Sequence, residues 1–445
     1  MIDQFKKLLG KENVVNSSKE LEEYSVAGKI PSLLLFPAAT YQISEIMKLA
    51  QRDDKKILIA GNNSQHYFGS IIEAPDWCIS LKKMNKIVEY EAADLIVTVE
   101  SGTSLPQLQK FLNKHKQFLP LDPVSAGYRT LGGIIAVNSS GPLRLLYGPC
   151  RDLVLGIKVV LPDGKIIRAG GKTVKNVAGY DLSKLFIGSM GTLGVVTEIT
   201  FKLFPLPVQS QTMWAEFNQF NEIPDLIQSI YSSTLVLSRC EYLNAVFVDK
   251  FLDEDSHPKE PHHIIFNVQG HAEMAKTTIE NLQQLLLERG GKNLRHFSKK
   301  NDTKLWNQIN SINSANTKFQ LDFHSQLSLP KSCFGQAISA IEKHSIDNTL
   351  SIAIQAHAGK GIINIYWSDL GEQIKTDHKI SQIQSLRQIA QDYQGNMVVH
   401  QAADSLREPE LIWGKPAKDF RFMKTIKAKY DPYQILVTGR FIGGI

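Results

Sequence analysis

The sequence predicts an α+β chain in two parts: a glycine-rich domain of two small α+β lobes, then an α+β cap whose C-terminal tail returns to that domain. Three observations carry this prediction. From Leu119 to Pro207, glycines, small hydroxyl residues and turn dipeptides cluster between short β-branched apolar runs. Upstream, the apolar run Ile57-Leu58-Ile59-Ala60 empties directly into a polar loop beginning at Gly61. From about Val208 the texture changes to longer alternations of strand and helix pattern, which suits helices on one face of a mainly antiparallel sheet. The expected divisions are residues 1–31 as an N-terminal helical extension, 32–207 as the glycine-rich domain, 208–400 as the cap and 401–445 as the return.

Taken in order, Ile2, Phe5, Leu8 and Leu9 share one face of a short helix that Gly10 stops. Leu33 to Phe36 is an apolar strand, after which Ile43, Ile46, Met47, Leu49 and Ala50 have helical spacing. Ile57 to Ala60 leads into Gly61-Asn62-Asn63-Ser64-Gln65-His66-Tyr67-Phe68-Gly69, where Gly and Asn tolerate positive φ and turn successive N–H groups toward one anion. Ile87 to Tyr90 and Leu95 to Val99 form a hairpin, and Leu105 to Leu112 is a helix. The run Pro123 to Gly141 holds Thr130, Gly132, Gly133, Asn138 and Ser140, side-chain-poor positions that let a bulky ligand lie on main-chain N–H groups. Val159 to Ile167 is a hairpin around Asp163-Gly164. A short helix, Asp181 to Ile187, precedes Gly191-Thr192-Leu193-Gly194-Val195-Val196, a second backbone-approach site that runs into a strand, Val195 to Leu203. Two such sites in one unit point to a large ligand.

In the cap the expected strands are Thr212 to Phe217, Ile264 to Val268, Leu350 to Gln355 and Ile362 to Trp367, and the expected helices Met274 to Arg289, Phe334 to His344 and Ile380 to Tyr393. A basic helix follows Pro416. No internal repeat or low-complexity tract interrupts this order.

Composition excludes several classes. With 445 residues, 43% of them hydrophobic, the chain has room for two or three domains with a sizeable core. Its 50 basic and 44 acidic residues leave a formal charge of +6, and the cations are scattered rather than striped, so no nucleic-acid partner is expected. Cys78, Cys150, Cys240 and Cys333 lie far apart, which excludes the usual zinc and iron–sulfur spacings and reads as reduced thiols of a cytoplasmic protein. No transmembrane or secretory segment is expected, since no stretch of ~18 apolar residues occurs.

Several familiar motifs fail. Gly171-Lys172-Thr173 ends like a phosphate-binding P-loop, but Ile166 stands where its first glycine is required. No G-x-G-x-x-G opens a helix, which speaks against a nicotinamide-type unit. His257, His262 and His263, with Pro258 and Pro261 between them, read as a solvated loop. His357, in Ala356-His357-Ala358-Gly359-Lys360-Gly361, and His400 border cap strands; as isolated histidines they read first as structural and second as weak catalytic candidates.

Five segments carry a resemblance. The loop Gly61 to Gly69, the run Asp122-Pro123 through Gly141, Tyr147 to Gly156, Lys175 to Leu182, and Gly188 to Glu198 together resemble the FAD-binding domain of the vanillyl-alcohol-oxidase (PCMH) type, in order and spacing, over residues 32–207. The rest resembles, more loosely, the cap and return of the branch of that family acting on 2-hydroxy acids, and within it the family of second FAD-binding subunits of bacterial glycolate oxidases. Three features carry the last likeness: Met190, where catalytic-type flavin subunits usually have Glu; Leu305-Trp306 with Leu327-Ser328-Leu329-Pro330; and Val398-Val399-His400 with Trp413-Gly414 in place of a Glu-His-Gly element.

The resemblance implies an FAD-dependent oxidoreductase acting on CH–OH groups. FAD is expected to be noncovalent, because Gln65 stands where attached relatives carry His. Its diphosphate should lie over Gly61, Asn62, Asn63, Ser64 and Gln65 and over a turn at Gly132-Gly133, near Pro123 and Thr130. The isoalloxazine should meet Asn138, Ser140 and Gly141, and the adenine end Gly191, Gly194, Val195 and Val196. The branch holds a divalent metal with a His-Ala-Gly-Asp-Gly-Asn-Leu-His motif and a later Glu. Here His357 matches the first histidine, Lys360 replaces the Asp and Asn364 the second His, so no metal site is assigned. Ile309 and Asn310 also stand where a basic residue is often found after Leu-Trp.

Glycolate oxidation to glyoxylate, or relay of its electrons, follows for the function. The implied partners are a second flavin subunit and an iron–sulfur subunit, with the complex cytoplasmic or membrane-associated through those partners. The alternatives are a self-sufficient dehydrogenase of D-lactate or another 2-hydroxy acid, and a non-redox assembly subunit.

Overall fold

The structure, a computed structural model, describes residues 1–65, 67–171, 181–252, 259–312, 323–367 and 375–445. Of the segments named above, His66, Lys172 to Tyr180, His257 and Pro258 lie outside the described residues; His262 and His263, expected in a solvated loop, instead begin a strand, with His263 buried.

The first lobe is a four-stranded sheet in the order β1 (Val14–Val15), β2 (Leu33–Leu35), β4 (Trp77–Ser80), β3 (Ile57–Ala60), parallel except for β1. Its strands are buried on both faces, as parallel strands must be, and the alternation of side chains sorts them cleanly. Leu33, Leu35, Ile57 and Ile79 pack with Phe5 and Leu9 of α1 (Ile2–Leu9) and with Ile43, Ile46 and Met47 of α2 (Thr40–Arg52), whereas Leu34, Leu58 and Cys78 pack on Tyr24, Val26 and Phe36. The second lobe is an antiparallel sheet, β5 (Ile87–Glu91), β6 (Ile96–Glu100), β9 (Val195–Lys202), β7 (Val154–Val160), β8 (Ile166–Gly170). Its core takes Leu105, Leu108 and Leu112 from α3 (Leu105–Asn113) and Leu131, Ile134 and Ile135 from α4 (Leu131–Ala136). Gly132-Gly133 therefore occupies the first turn of a helix rather than the loop turn expected: Thr130 caps it, accepting from Gly133 N at 3.2 Å.

The cap is one eight-stranded sheet: β10 (Gln209–Phe217), β11 (Arg239–Asn244), β12 (His262–Gly270), β13 (Lys292–Ser298), β14 (Phe323–Ser328), β15 (Ile352–His357), β16 (Ile362–Trp367) and β17 (Asn396–Gln401). In space they run β13-β10-β12-β11-β15-β16-β14-β17, every pair antiparallel. One face is covered by α5 (Glu222–Tyr231), α7 (Ala272–Glu288), α9 (Phe334–Asp347) and α10 (Thr376–Asp392). The expectation that helices keep to this face is corrected. On the other, α6 (Ala245–Phe251) and α8 (Lys299–Ile309) bury Phe247, Val248, Leu305 and Trp306 against Trp214, Leu243, Ile265, Ala353 and Tyr366. The cause is local: Asn244 ends β11 and caps α6 in one step, accepting from Phe247 N at 3.0 Å.

That second face divides. Strand alternation carries Arg239, Glu241, Gln355, His357, Asn364, His324 and Gln326 onto it beside the apolar patch, and this polar part turns toward the glycine-rich domain. The tail then returns: α11 (Phe420–Tyr430) leads to Leu436, which bridges in parallel to Ile57 at the edge of the first sheet.

Candidate active site between the glycine-rich domain and the cap

Two clefts meet at the junction. The first is lined by Leu58 to Gln65 on one side and Thr130, Gly133, Ala136 and Val137 of α4 on the other, with Met190 and Arg440 at its ends. Gly61 is required by packing, since a Cβ there would lie 2.2 Å from Thr130 Oγ1. The loop is held from behind. Arg440 donates to Gln65 O at 2.8 Å and Phe68 O at 3.1 Å, and Arg407 Nε donates to Gly69 O at 2.9 Å. Arg129, almost wholly buried, donates to Ser139 Oγ at 2.9 Å and, with the Gln65 amide oxygen turned toward it, to Gln65 at 2.9 Å.

Gln65, Arg129 and Val137 also line the second cleft, so the two adjoin. The second, about 320 Å³, lies under the cap: Asn138, Ser139, Ser140 and Arg144 form one wall, and His324, Gln326, His357, Asn364 and His400 the other. Glu241 and His357 are directly opposed on neighbouring strands, and the His357 Nδ1–Glu241 Oε1 distance is 2.6 Å. Gln355 Nε2 donates to Glu241 Oε2 at 3.1 Å, and Tyr366 OH donates to Gln355 Oε1 at 3.0 Å. His324 stacks on Tyr366 at 4.5 Å and meets Asn364 Oδ1 through Nε2 at 3.3 Å. Behind this wall, Arg239 Nε bonds Asp122 Oδ2 at 2.9 Å, tying cap to domain, while its guanidinium lies 4.6 Å from the Trp306 ring centre. A cation thus reaches Leu305-Trp306 from β11, although none follows it in sequence.

The electrostatics follow from burial. Desolvation pushes the Glu241 carboxyl up, and the His357 ring beside it pulls it back; burial likewise raises Asp122 against the pull of Arg239. His324 is driven down to about 4 and His400 well below the usual histidine range, both by burial, with the Arg129 charge adding to it, so these imidazoles are neutral at pH 7. Arg144 is partly desolvated, and its Nε is buried with no hydrogen-bond partner among the described residues.

Of the residues singled out from sequence, Gly61, Asn62, Asn63, Ser64, Gln65, Thr130 and Gly133 line the first cleft, and Asn138, Ser140, His357 and His400 the second. Gly132 and Gly141 instead serve backbone packing, with added Cβ atoms 2.7 Å from Ser101 Cβ and 1.8 Å from Asp122 O. Gly194 to Val196 meet β7, where Val195 pairs Val160, and Met190 rather than Gly191 reaches the cleft. Pro123 lines neither cleft. His324, Glu241 and Arg144 were missed. Arg239 and Glu241 at alternate positions were the available signal: two charges on one face of a short strand.

FAD fits the pair of adjoining clefts. The Cβ position of Gly133 meets nothing nearer than Thr130 Oγ1 at 3.3 Å, which leaves that backbone open to a ligand, and Arg129 and Arg440 supply cations for a diphosphate. A metal does not fit. Among the described residues no three His, Cys, Asp or Glu side chains converge to hold one, Nδ1 of His357 is taken by Glu241, and Asn364 is bonded to His324 and Gln326. No step below runs through a metal.

Residues 31–170 match the family model described as an FAD binding domain, and residues 206–440 match that of FAD linked oxidases, C-terminal domain. Glycolate oxidase subunit GlcD of Bacillus subtilis is 25% identical over 417 residues, covering 92% of this chain and 89% of that protein. Glycolate oxidase subunit GlcE of Escherichia coli is 33% identical over 205 residues, only 46% of this chain and 58% of that one. The likeness to GlcE is therefore partial, and that to GlcD runs almost the full length. Crystalline p-cresol methylhydroxylase superposes with a TM-score of 0.78 at 16% identity, over 98% of this chain and 95% of its own, which confirms the bilobal fold with its cap. The chain belongs to the FAD-linked oxidases, as an oxidoreductase whose cofactor is FAD.

Proposed function

We propose that this chain oxidises a small 2-hydroxy acid at its own noncovalent FAD, as a flavin subunit of a glycolate-oxidase-type complex. One observation carries the substrate class: Arg144 lines a cleft of about 320 Å³ with a buried Nε that has no hydrogen-bond partner among the described residues. An unpaired buried donor is costly, so the site is built for an anion to complete it. A cleft of this size, at the lower end of the ~300–1,000 Å³ usual for small-molecule sites, suits a short carboxylate. When bound, FAD supplies the two-electron acceptor. The chain's own residues hold the rest: Arg144 takes the carboxylate, the Asn138 to Ser140 backbone forms the floor, and the cap strands exclude water.

Similarity to both GlcD and GlcE supports a complex with a second flavin subunit and an iron–sulfur subunit. A self-sufficient dehydrogenase of D-lactate or a related acid is the second reading, favoured by the complete cap over the cleft. The test is to purify the chain alone and with those partners, then follow flavin absorbance anaerobically with glycolate and D-lactate. Bleaching of the lone chain supports substrate oxidation at this flavin, and bleaching only on reconstitution assigns it to relay. Arg144→Ala should weaken apparent substrate affinity by the ~1.5–3 kcal/mol of a charge-assisted hydrogen bond, about 10- to 150-fold. Acid precipitation should release the yellow cofactor; flavin retained on the denatured chain contradicts noncovalent binding. A colourless protein with no FAD affinity would favour the assembly role.

A further inference from the structure

Resting on that substrate reading, we infer that His357 is the general base of the site, its Nε2 accepting the substrate hydroxyl proton while Glu241, bound to Nδ1, is the positioning residue. The two side chains face each other across neighbouring strands at 2.6 Å. A buried carboxylate at Nδ1 fixes the tautomer with the proton on Nδ1 and leaves Nε2 as the acceptor. It also stabilises the positive ring that forms when Nε2 is protonated, as an orienting acid does in other histidine dyads. Nε2 has no protein partner among the described residues, and His357 lines the cleft that Arg144 also faces. Glu241 is fully buried and cannot turn away, because Gln355 holds its second oxygen and Tyr366 holds Gln355.

The other histidines of the cleft lack this arrangement. His324 spends Nε2 on Asn364, and its ring lies 4.9 Å from that of His400; neither has a carboxylate partner among the described residues. Around the dyad stand Asp122 and Arg144 from the glycine-rich domain, Tyr231 from α5, Cys240 on the same strand and Tyr366 from β16. In the reaction the hydroxyl O–H bond breaks and its proton goes to Nε2, and the carbinol C–H bond breaks with its electron pair leaving as hydride to FAD. A C=O bond forms, the 2-hydroxy acid becomes a 2-keto acid, and the imidazolium later returns its proton to water.

Two measurements on the holoprotein test this. In anaerobic stopped flow with glycolate and D-lactate, His357→Asn should slow flavin reduction by ~10²–10⁴-fold at unchanged FAD content. The wild-type rate should fall on an acid limb belonging to the Glu241–His357 pair. In Glu241→Gln that limb should move to lower pH, since a neutral partner no longer favours the charged ring; a purely structural role would not move it. Separately, oxalate, which this chemistry cannot oxidise, should bind oxidised wild type with uptake of a proton, read by calorimetry in two buffers, and bind His357→Asn without it.

If hydroxy acids leave the wild-type flavin oxidised but oxalate still brings a proton that His357→Asn abolishes, the substrate reading fails and the dyad stands. Reduction of His357→Asn at the wild-type rate with the same acid limb overturns the dyad and leaves the substrate reading intact. A wild type that is neither reduced nor protonated with oxalate overturns both.

Discussion

At Gly132 an added Cβ would lie 2.7 Å from Ser101 Cβ and 2.9 Å from its carbonyl, whereas at Gly133 only Thr130 Oγ1 comes within 4 Å, at 3.3 Å. The neighbours therefore fail differently. Gly133→Val should weaken FAD binding at least tenfold while leaving the chain folded, since it fills ligand space. Gly132→Ala should cost ~1–3 kcal/mol of stability through overpacking against the backbone. Flavin fluorescence titration with urea unfolding separates the two, and full FAD occupancy in Gly133→Val would show that the ligand lies elsewhere. At this scale the main-chain half of the site was legible, because glycine and small hydroxyl residues betray backbone that something must approach. Glu241 and His324 were not. Each sits in a short strand whose charged or polar residues break the apolar alternation, and their partners lie 116 and 40 residues away in the chain.

Among elements, the returning tail bears most directly on the cofactor cleft. Lys427 of α11, buried, donates to Asp431 Oδ2 at 2.6 Å, to Thr192 O at 3.0 Å and to Leu436 O at 3.4 Å, and Asp431 accepts from Ile435 N and Leu436 N. This pair fixes the strand-like segment beside Ile57, and Arg440 a few residues on clamps the Gly61 to Gly69 loop. Lys427→Met leaves a buried carboxylate without its partner and should cost ~3–5 kcal/mol, with faster loss of FAD on dilution. A variant as stable as wild type, holding FAD equally, would show that the staple does not support the loop. Strands β2 and β3 of the first lobe and both hairpins of the second were legible from period and turn chemistry, whereas β1 and β4 were not; the outer hairpin strands β5 and β8 are only partly buried. Strands β11, β13, β14 and β17 were not legible either: β11 carries Arg239 and Glu241, and β13 is a half-exposed edge whose only apolar residues are Leu294 and Phe297.

For the molecule as a whole, three buried histidines set the response to acid. Burial holds His263 at about 3 and His324 at about 4, and His400 well below its usual value, each depressed below the ~6.5 of an unfolded chain. Between pH 6.5 and 4 the unfolded state binds these protons and the folded state does not, so stability falls as pH falls through that window. Each contributes up to ~1.4 kcal/mol per pH unit. Asp122 and Glu241, raised by burial, act in the opposite sense at the acid end of the window, because there the folded state holds the extra proton. The net expectation is a melting temperature that drops between pH 6.5 and 5.5, where three depressed histidines act together. His263 gives the clean test, since it lies outside the cleft, bonded to Trp214 Nε1 with its Nε2 buried and unsatisfied. His263→Gln should flatten the holoprotein's stability over that interval by ~1 kcal/mol relative to wild type. Equal slopes for the two proteins would mean that His263 titrates in the fold as it does in the unfolded chain, and that its site admits water.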